Sequence, residues 1–277
     1  MYNFTNISIF NIKSIHEFLS ICEVKRRIKI KKFSSDDYYK VHYINGKEHS
    51  SPRYILQQIH QKIRIILSEV ILPNNIFAPS KKGEKKSNIK NAKYHKNSNY
   101  LITIDIKSFY ENLKLKHVIS FLENDLKIEK NTAHFIGKVL TYKGHIPRGS
   151  CISPILSHLV VYKIWKEINE YCEKNQLIFS IYMDDITISS QNQFNFQKAI
   201  NFVTYQLARF NLKCSTKKIK KYTKNKGKKV TGVIIDKNNR LRVQNKHRIK
   251  YIQTNKNTNS SKGLKGYINN IEKDLIK

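Results

Sequence analysis

Ile178-Phe179-Ser180-Ile181-Tyr182-Met183-Asp184-Asp185-Ile186-Thr187-Ile188 is an apolar run interrupted at its centre by two adjacent carboxylates. The β-branched and aromatic flanks read as two strands and the centre as the tip of a β-hairpin. Two neighbouring carboxylates repel each other at neutral pH, so the pair makes chemical sense where a divalent cation lies between them. Alone, an Asp-Asp pair also suits a turn or a cap. Its position between two apolar strands is what favours a metal.

Upstream, Tyr100-Leu101-Ile102-Thr103-Ile104-Asp105-Ile106 alternates in part, with Leu101, Thr103 and Asp105 on one face and three isoleucines on the other. Asp105 thus ends a half-buried strand. Strands in a sheet lie about 5 Å apart, so Asp105 and Asp184-Asp185 can converge. Three carboxylates in one small volume would hold two Mg²⁺ ions and serve an in-line phosphoryl displacement.

The rest of the chain alternates helices with antiparallel hairpins, an α+β pattern rather than a regular βαβ series. An amphipathic helix is expected between Pro52 and Leu72, with Ile55, Ile59, Ile63, Ile66 and Val70 spaced by three or four. The lysine- and asparagine-rich stretch Ser80 to Asn99 reads as a basic, mobile connection. A helical stretch lies around Lys116 to Lys127, followed by a glycine- and proline-punctuated loop, Gly144 to Pro154. Ser153 reads there as the N-cap of a single helix carrying Leu156, Val160, Ile164 and Ile168. A helix with Phe196, Ile200, Val203, Leu207 and Phe210 on one side follows the Asp-Asp hairpin. A second hairpin from Val230 to Val243 turns at Lys237-Asn238-Asn239, and the tail from Ser261 carries Leu264, Tyr267, Ile268, Ile271 and Leu275 at helical spacing.

With 277 residues the chain can bury a substantial core in one large domain or a few lobes. Its 52 Lys+Arg against 20 Asp+Glu give a formal net charge of +32. Such a surplus repels itself unless a polyanion neutralises it, and nucleic acid is the commonest polyanion. An acidic membrane surface suits the charge less well, since no stretch approaches the ~20 apolar residues of a membrane-crossing helix and no charged-then-apolar leader opens the chain. Cys22, Cys151, Cys172 and Cys214 are far apart and show no paired spacing for zinc or a disulfide framework. Reduced thiols and a cytoplasmic, bacterial location are the expectation.

Read together, three segments carry a resemblance. Tyr182-Met183-Asp184-Asp185 resembles the catalytic tetrapeptide of reverse transcriptases, and Asp105-Ile106-Lys107-Ser108-Phe109-Tyr110 resembles their first catalytic segment. Between them, the stretch Ile146 to Ser157 is similar to the family's loop and helix start, in the family's order. Two further segments resemble retron reverse transcriptases: Asn91-Ala92-Lys93-Tyr94-His95 their Asn-Ala-x-x-His signature, and Val230-Thr231-Gly232 their Val-Thr-Gly triplet.

The resemblance implies a right-hand polymerase fold, with fingers in 1–99, a palm with an inserted fingers segment in 100–229, and a short thumb in 230–277. It implies an RNA-directed DNA polymerase using two Mg²⁺ ions on Asp105, Asp184, Asp185 and the backbone of Ile106. The expected nucleotide contacts are Lys47, Tyr110, Arg148, Gly149 and Lys217, with Tyr110 as a steric gate against ribonucleotides or else an ordinary core aromatic. Expected RNA contacts are Asn91, His95, Lys228, Lys229, Thr231, Arg240 and Arg242, with the basic stretches Lys81 to Lys96 and Lys213 to Lys229 and the lysine-rich C-terminal segment. Implied partners are dNTPs, a cognate structured noncoding RNA, the DNA copied from it and linked to it through a 2′-hydroxyl, and a separate effector protein in antiphage defence. Another prokaryotic reverse transcriptase, of abortive-infection or intron type, and a noncatalytic RNA-binding module are the alternatives. The absence of a maturase or nuclease extension argues against the intron type. Two departures stand out. Arg148 occupies the place of the family's usual glutamine, and a guanidinium cannot accept a hydrogen bond as an amide can. His49 stands where an arginine is common, which leaves Lys47 as the triphosphate contact.

Overall fold

A computed structural model describes residues 2–24, 36–77, 87–254 and 258–273. Among them the helices are α1 (Ile15–Ile21), α2 (Tyr54–Leu67), α3 (Asn88–Tyr94), α4 (Phe109–Asn112), α5 (Leu115–Ser120), α6 (Lys130–Leu140), α7 (Ser153–Val160), α8 (Tyr162–Lys174), α9 (Phe196–Ala208), α10 (Asn245–Gln253) and α11 (Asn259–Glu272). The strands are β1 (Tyr39–Ile44), β2 (Lys47–Pro52), β3 (Tyr100–Asp105), β4 (Ile178–Tyr182), β5 (Asp185–Ser190), β6 (Lys220–Tyr222), β7 (Lys228–Val230), β8 (Val233–Ile235) and β9 (Leu241–Val243). They form three antiparallel sheets, β1-β2, β4-β5-β3-β6 and β7-β8-β9, so the expected α+β class holds.

The four-stranded sheet organises the molecule because its two faces have different chemistry. Ile102, Ile104, Ile186, Ile188, Phe179 and Ile181 point to one side and join the main apolar core with α7, α8 and α9. Leu101, Thr103, Asp105, Ser180, Asp185, Thr187 and Ser189 share the other face by strand alternation and register. A second core covers part of that face: Ala92 of α3 and Leu101 meet Val230, Val233, Ile235, Leu241, Val243 and Ile271. The part left open lies over the ends of β3 and β5.

Several elements differ from expectation for identifiable reasons. The segment 88–99, read as a mobile connection, holds α3, which starts where the Ser87 hydroxyl accepts from the Lys90 amide and buries Asn91 and Ala92. Residues 80–86 of that stretch, and Leu275, lie outside the described residues. The single helix expected after Pro154 is two, because Val161 leaves helical geometry (φ −118°, ψ 23°). The His158 carbonyl, which a continuous helix would give to the Tyr162 amide, instead accepts the Trp165 indole N–H at 3.1 Å. Ser153 is inside α7 rather than its N-cap, which is Ile152, and its hydroxyl donates to the Pro147 carbonyl at 2.6 Å. The helix α6, unassigned from sequence, begins at Glu129, whose carboxylate accepts from the Asn131 and Thr132 amides. The Val230–Val243 hairpin gains β7 as a third strand, which straddles the expected 229/230 boundary. No helix among the described residues is long and apolar enough to cross a membrane.

Candidate active site

Asp105 and Asp185 are directly opposed in the β3–β5 register, so their side chains leave the same face of the sheet as cross-strand neighbours. Asp184 lies in the two-residue turn between Tyr182 and Asp185, and Met183 there takes a φ of 57°, a left-handed conformation that costs a non-glycine residue about 1 kcal/mol or more. The turn is tied to β3 by the Ile106 amide, which donates to the Asp184 carbonyl at 3.2 Å. On the other side, the Lys107 amide donates to the Lys213 carbonyl and the Ser215 amide to the Asp105 carbonyl, both at 2.8 Å. Three chain segments therefore fix the carboxylates from the backbone.

The electrostatics follow from this crowding. Burial, then the charges of Asp184 and Asp105, push the Asp185 carboxyl up to about 7. Asp184 is raised by burial and by Asp105, against the opposing pull of its own backbone amide, Arg148 and Lys218. The Lys218 ammonium reaches both Asp105 oxygens, at 2.8 and 3.0 Å, and this hydrogen-bonded contact raises its own pKa. Among the described residues no group of three His, Cys, Asp or Glu side chains is close enough to hold a metal as it stands. The donor set nevertheless fits a hard divalent cation: three carboxylates, two of them held above their ordinary pKa by burial and by one another's charge.

A cleft of about 370 Å³ opens beside the carboxylates over Thr103, Asp105, Asp185 and Thr187, with Lys218, Lys220, Lys229 and Lys246 among its lining residues. At the other side of the turn, Tyr110 on α4 is pushed up to about 12 by burial and by the Asp184 charge. The Arg148 guanidinium sits 5.7 Å from the centre of its ring. Gly149 (φ +105°) passes so close to β2 that a Cβ would meet the Ser51 hydroxyl at 3.2 Å, and the Ser50 amide donates to the Arg148 carbonyl at 2.6 Å. The β1–β2 hairpin is thereby seated on the Pro147 loop. Its tip is an Asn45-Gly46 turn with both φ values positive, which leaves Lys47 exposed at the start of β2.

Other expected residues lie elsewhere. Lys217 is exposed in a 3₁₀ turn (Thr216–Lys218), and its neighbour Lys218 is the lysine that reaches the carboxylates. Asn91 and His95 are fully buried and so cannot touch RNA in this structure. The His95 ring meets the Ser189 hydroxyl at 2.6 Å and the Ser180 hydroxyl at 2.7 Å, and Ser180 donates to the Asn91 carboxamide at 2.6 Å. Asn91 continues to Thr231 at 3.3 Å, and Asn88 bonds both the Thr231 carbonyl and the Tyr267 hydroxyl. The two retron-like motifs therefore meet inside the molecule, as a polar strut between the carboxylate-bearing face of the β4–β5 hairpin and the C-terminal sheet. Lys228 is also buried, at 3 % exposure, and burial lowers its pKa. Lys229 lines the cleft, Arg240 is exposed, and Arg242 is paired with Asp236 at 3.0 Å. Lys218, Lys246 and Glu111, the partner of Arg148, were not singled out from sequence. Only their neighbours in the chain hinted at them.

Comparison with known proteins bears on the same residues. The family described as reverse transcriptase (RNA-dependent DNA polymerase) matches residues 45–235, a span that holds all three aspartates. The chain is 22% identical over 240 residues to the retron Ec86 reverse transcriptase of Escherichia coli, covering 84% of this chain and 75% of that one. It is 26% identical over 214 residues to the retron Ec83 reverse transcriptase of Escherichia coli, covering 69% and 68%. Among solved structures, telomerase from Candida albicans is similar at a TM-score of 0.53 and 9% identity, over 74% of this chain and 46% of that chain. Apo telomerase from Candida tropicalis is similar at 0.50 and 10%, over 74% and 54%. This chain thus spans about half of each telomerase chain, and at such identity the likeness speaks for the polymerase fold alone. The fold and the matched span, which covers more than half of the sequence, agree with the carboxylate geometry: the chain belongs to the reverse transcriptase family.

Proposed function

We propose that this protein is the RNA-directed DNA polymerase of a retron. It copies part of a cognate structured noncoding RNA into single-stranded DNA that stays joined to that RNA, and it serves antiphage defence alongside a separate effector protein. The observation that carries the polymerase chemistry is the direct opposition of Asp105 and Asp185, with Asp184 in the β4–β5 turn that leads into Asp185. The retron assignment is supported by the two relatives above and by the Asn91–His95 and Val230–Gly232 motifs.

The family generally uses divalent metal ions. Here Asp105, Asp184, Asp185 and the backbone of Ile106 would hold two Mg²⁺, which when bound lower the pKa of an attacking hydroxyl and neutralise charge on the leaving oxygens. Without them the Lys218 ammonium is hydrogen-bonded to Asp105, and burial with the two neighbouring carboxylates raises the Asp185 carboxyl to about 7. Tyr110, beside Asp184 and under Arg148, is assigned as the steric gate whose planar ring would exclude a ribose 2′-hydroxyl. Lys47, Arg148, Gly149 and Lys217 complete the proposed nucleotide contacts, and Lys229, Thr231, Arg240 and Arg242 the RNA contacts on the C-terminal side.

The test is DNA synthesis on the cognate RNA by the Asp184→Asn/Asp185→Asn double variant. Loss on the order of a thousandfold or more is expected, and wild-type synthesis by the variant would refute the carboxylate assignment. Sequencing of nucleic acid that copurifies with the protein tests the retron reading. A small RNA joined 2′–5′ to DNA is the expected product, whereas heterogeneous RNA without DNA would mark an RNA-binding module.

A further inference from the structure

Arg148 is not free to act as a lone cation. Its Nε and one terminal nitrogen donate to a single oxygen of Glu111, Oε1, at 3.1 and 2.7 Å. The same guanidinium lies over the Tyr110 ring at 5.7 Å, and Glu111 follows Tyr110 directly on α4. The second Glu111 oxygen, Oε2, is buried and has no hydrogen-bond partner. Burial raises the Glu111 pKa, but its own backbone amide and Arg148 outweigh that and hold it below the ordinary range. Only one of the two would leave a partly buried charge without its counterpart.

We propose that Glu111 and Arg148 act as one unit, a positioning pair that clamps the Tyr110 ring and sets how strictly the site separates a deoxyribose from a ribose nucleotide. This rests on the reading of Tyr110 as part of the nucleotide site. The clamp has a reason to be stiff. Arg148 is held from its side chain by α4 and from its carbonyl by the Ser50 amide, so the ring, the Pro147 loop and β2 move together. Charge balance explains how arginine is tolerated beside three carboxylates without becoming a fixed counter-ion to them, since its hydrogen bonds go to Glu111. A planar fork stacked on a ring is also something lysine cannot reproduce.

The measurement is the ratio of incorporation efficiency (kcat/KM) for a ribonucleotide against the matching deoxyribonucleotide on an RNA template. It is taken for the wild type, Glu111→Gln, Arg148→Gln, Arg148→Lys, the Glu111→Gln/Arg148→Gln double variant and Tyr110→Ala. The ratio is read within one preparation, so a smaller folded fraction cancels. Each single variant of the pair is expected to raise the ratio roughly tenfold, with Arg148→Lys failing to rescue and the double variant no worse than either single. If Arg148 were only a phosphate contact, Arg148→Gln would weaken both nucleotides alike and leave the ratio unchanged, which overturns the proposal. A raised ratio in Tyr110→Ala with no change in Glu111→Gln also overturns it while the nucleotide-site reading stands. A ratio unmoved even by Tyr110→Ala would overturn that reading itself.

Discussion

Asp185 is the residue at which the fold works against itself. Burial and two neighbouring carboxylates move it from an ordinary 3.8 to about 7. A carboxyl raised in the folded state stabilises the fold while it is protonated, and that contribution is lost as pH rises from about 4 through about 7. Asp184 is shifted in the same direction. Metal-free protein at pH 8 therefore carries a penalty that the isosteric Asp185→Asn change removes. In chelator at pH 8 the variant is expected to melt several degrees above the wild type, about 2 kcal/mol for a chain of this size. At pH 4 the two melting curves should coincide. Equal melting at both pH values would show that the carboxylate is not under strain, and with it would go the electrostatic argument for a cation site. The neighbouring lysine shows how residue detail escapes a sequence. Lys217 and Lys218 are indistinguishable by type, and the 3₁₀ turn they share decides that Lys218 reaches Asp105.

At the scale of elements, α3 illustrates both what the sequence discloses and what it hides. The Asp-Asp hairpin, the strand ending at Asp105 and the helices α2, α9 and α11 were legible because apolar residues repeat there with period two or near 3.6. The helix α3 was not, because its lysines and asparagines mask an interior made of Asn91, Ala92 and the adjoining His95. A buried polar contact leaves no hydrophobic period to read. His95 has two serine hydroxyls as partners, and burial depresses its pKa to about 3. Replacing it with alanine leaves Ser180 and Ser189 short of a partner and opens a cavity, so a loss of about 3 kcal/mol is expected by denaturant titration. The pH sign is opposite to that of Asp185. A histidine with a depressed folded pKa contributes stability above pH 6.5 that is lost as pH falls toward 3, and His60, at about 4, behaves likewise. Between pH 6.5 and 4 the His95→Ala variant should therefore lose less stability than the wild type. A variant with the wild-type slope would mean that His95 is hydrated rather than enclosed. The break between α7 and α8 escaped for a similar reason, since it turns on the Trp165 indole taking the His158 carbonyl across seven residues.

Over the whole molecule, the net charge of +32 predicted a polyanion partner, while only the fold tells which cations face it. Lys218, Lys220, Lys229 and Lys246 come from three separate segments and line one cleft beside the carboxylates. Lys228, adjacent in sequence to Lys229, points inward on the other side of β7. Alternation along a three-residue strand thus separates a cleft-lining lysine from a buried one, a distinction that composition cannot make. Each phosphate neutralised by a cation releases counterions, so the logarithm of affinity for single-stranded RNA falls with the logarithm of salt at roughly 0.7 per contact. The Lys229→Ala/Lys246→Ala double variant should lower that slope by about 1.4. Lys228→Ala should leave the slope unchanged while lowering the melting temperature, because the chain would lose a packed side-chain stem rather than a phosphate contact. The comparison is internally controlled because Lys228→Ala also removes a positive charge from β7, the strand that carries Lys229. A slope that fell equally for Lys228→Ala would mean that RNA senses only net charge, and that the cleft beside Asp105 and Asp185 is not its path.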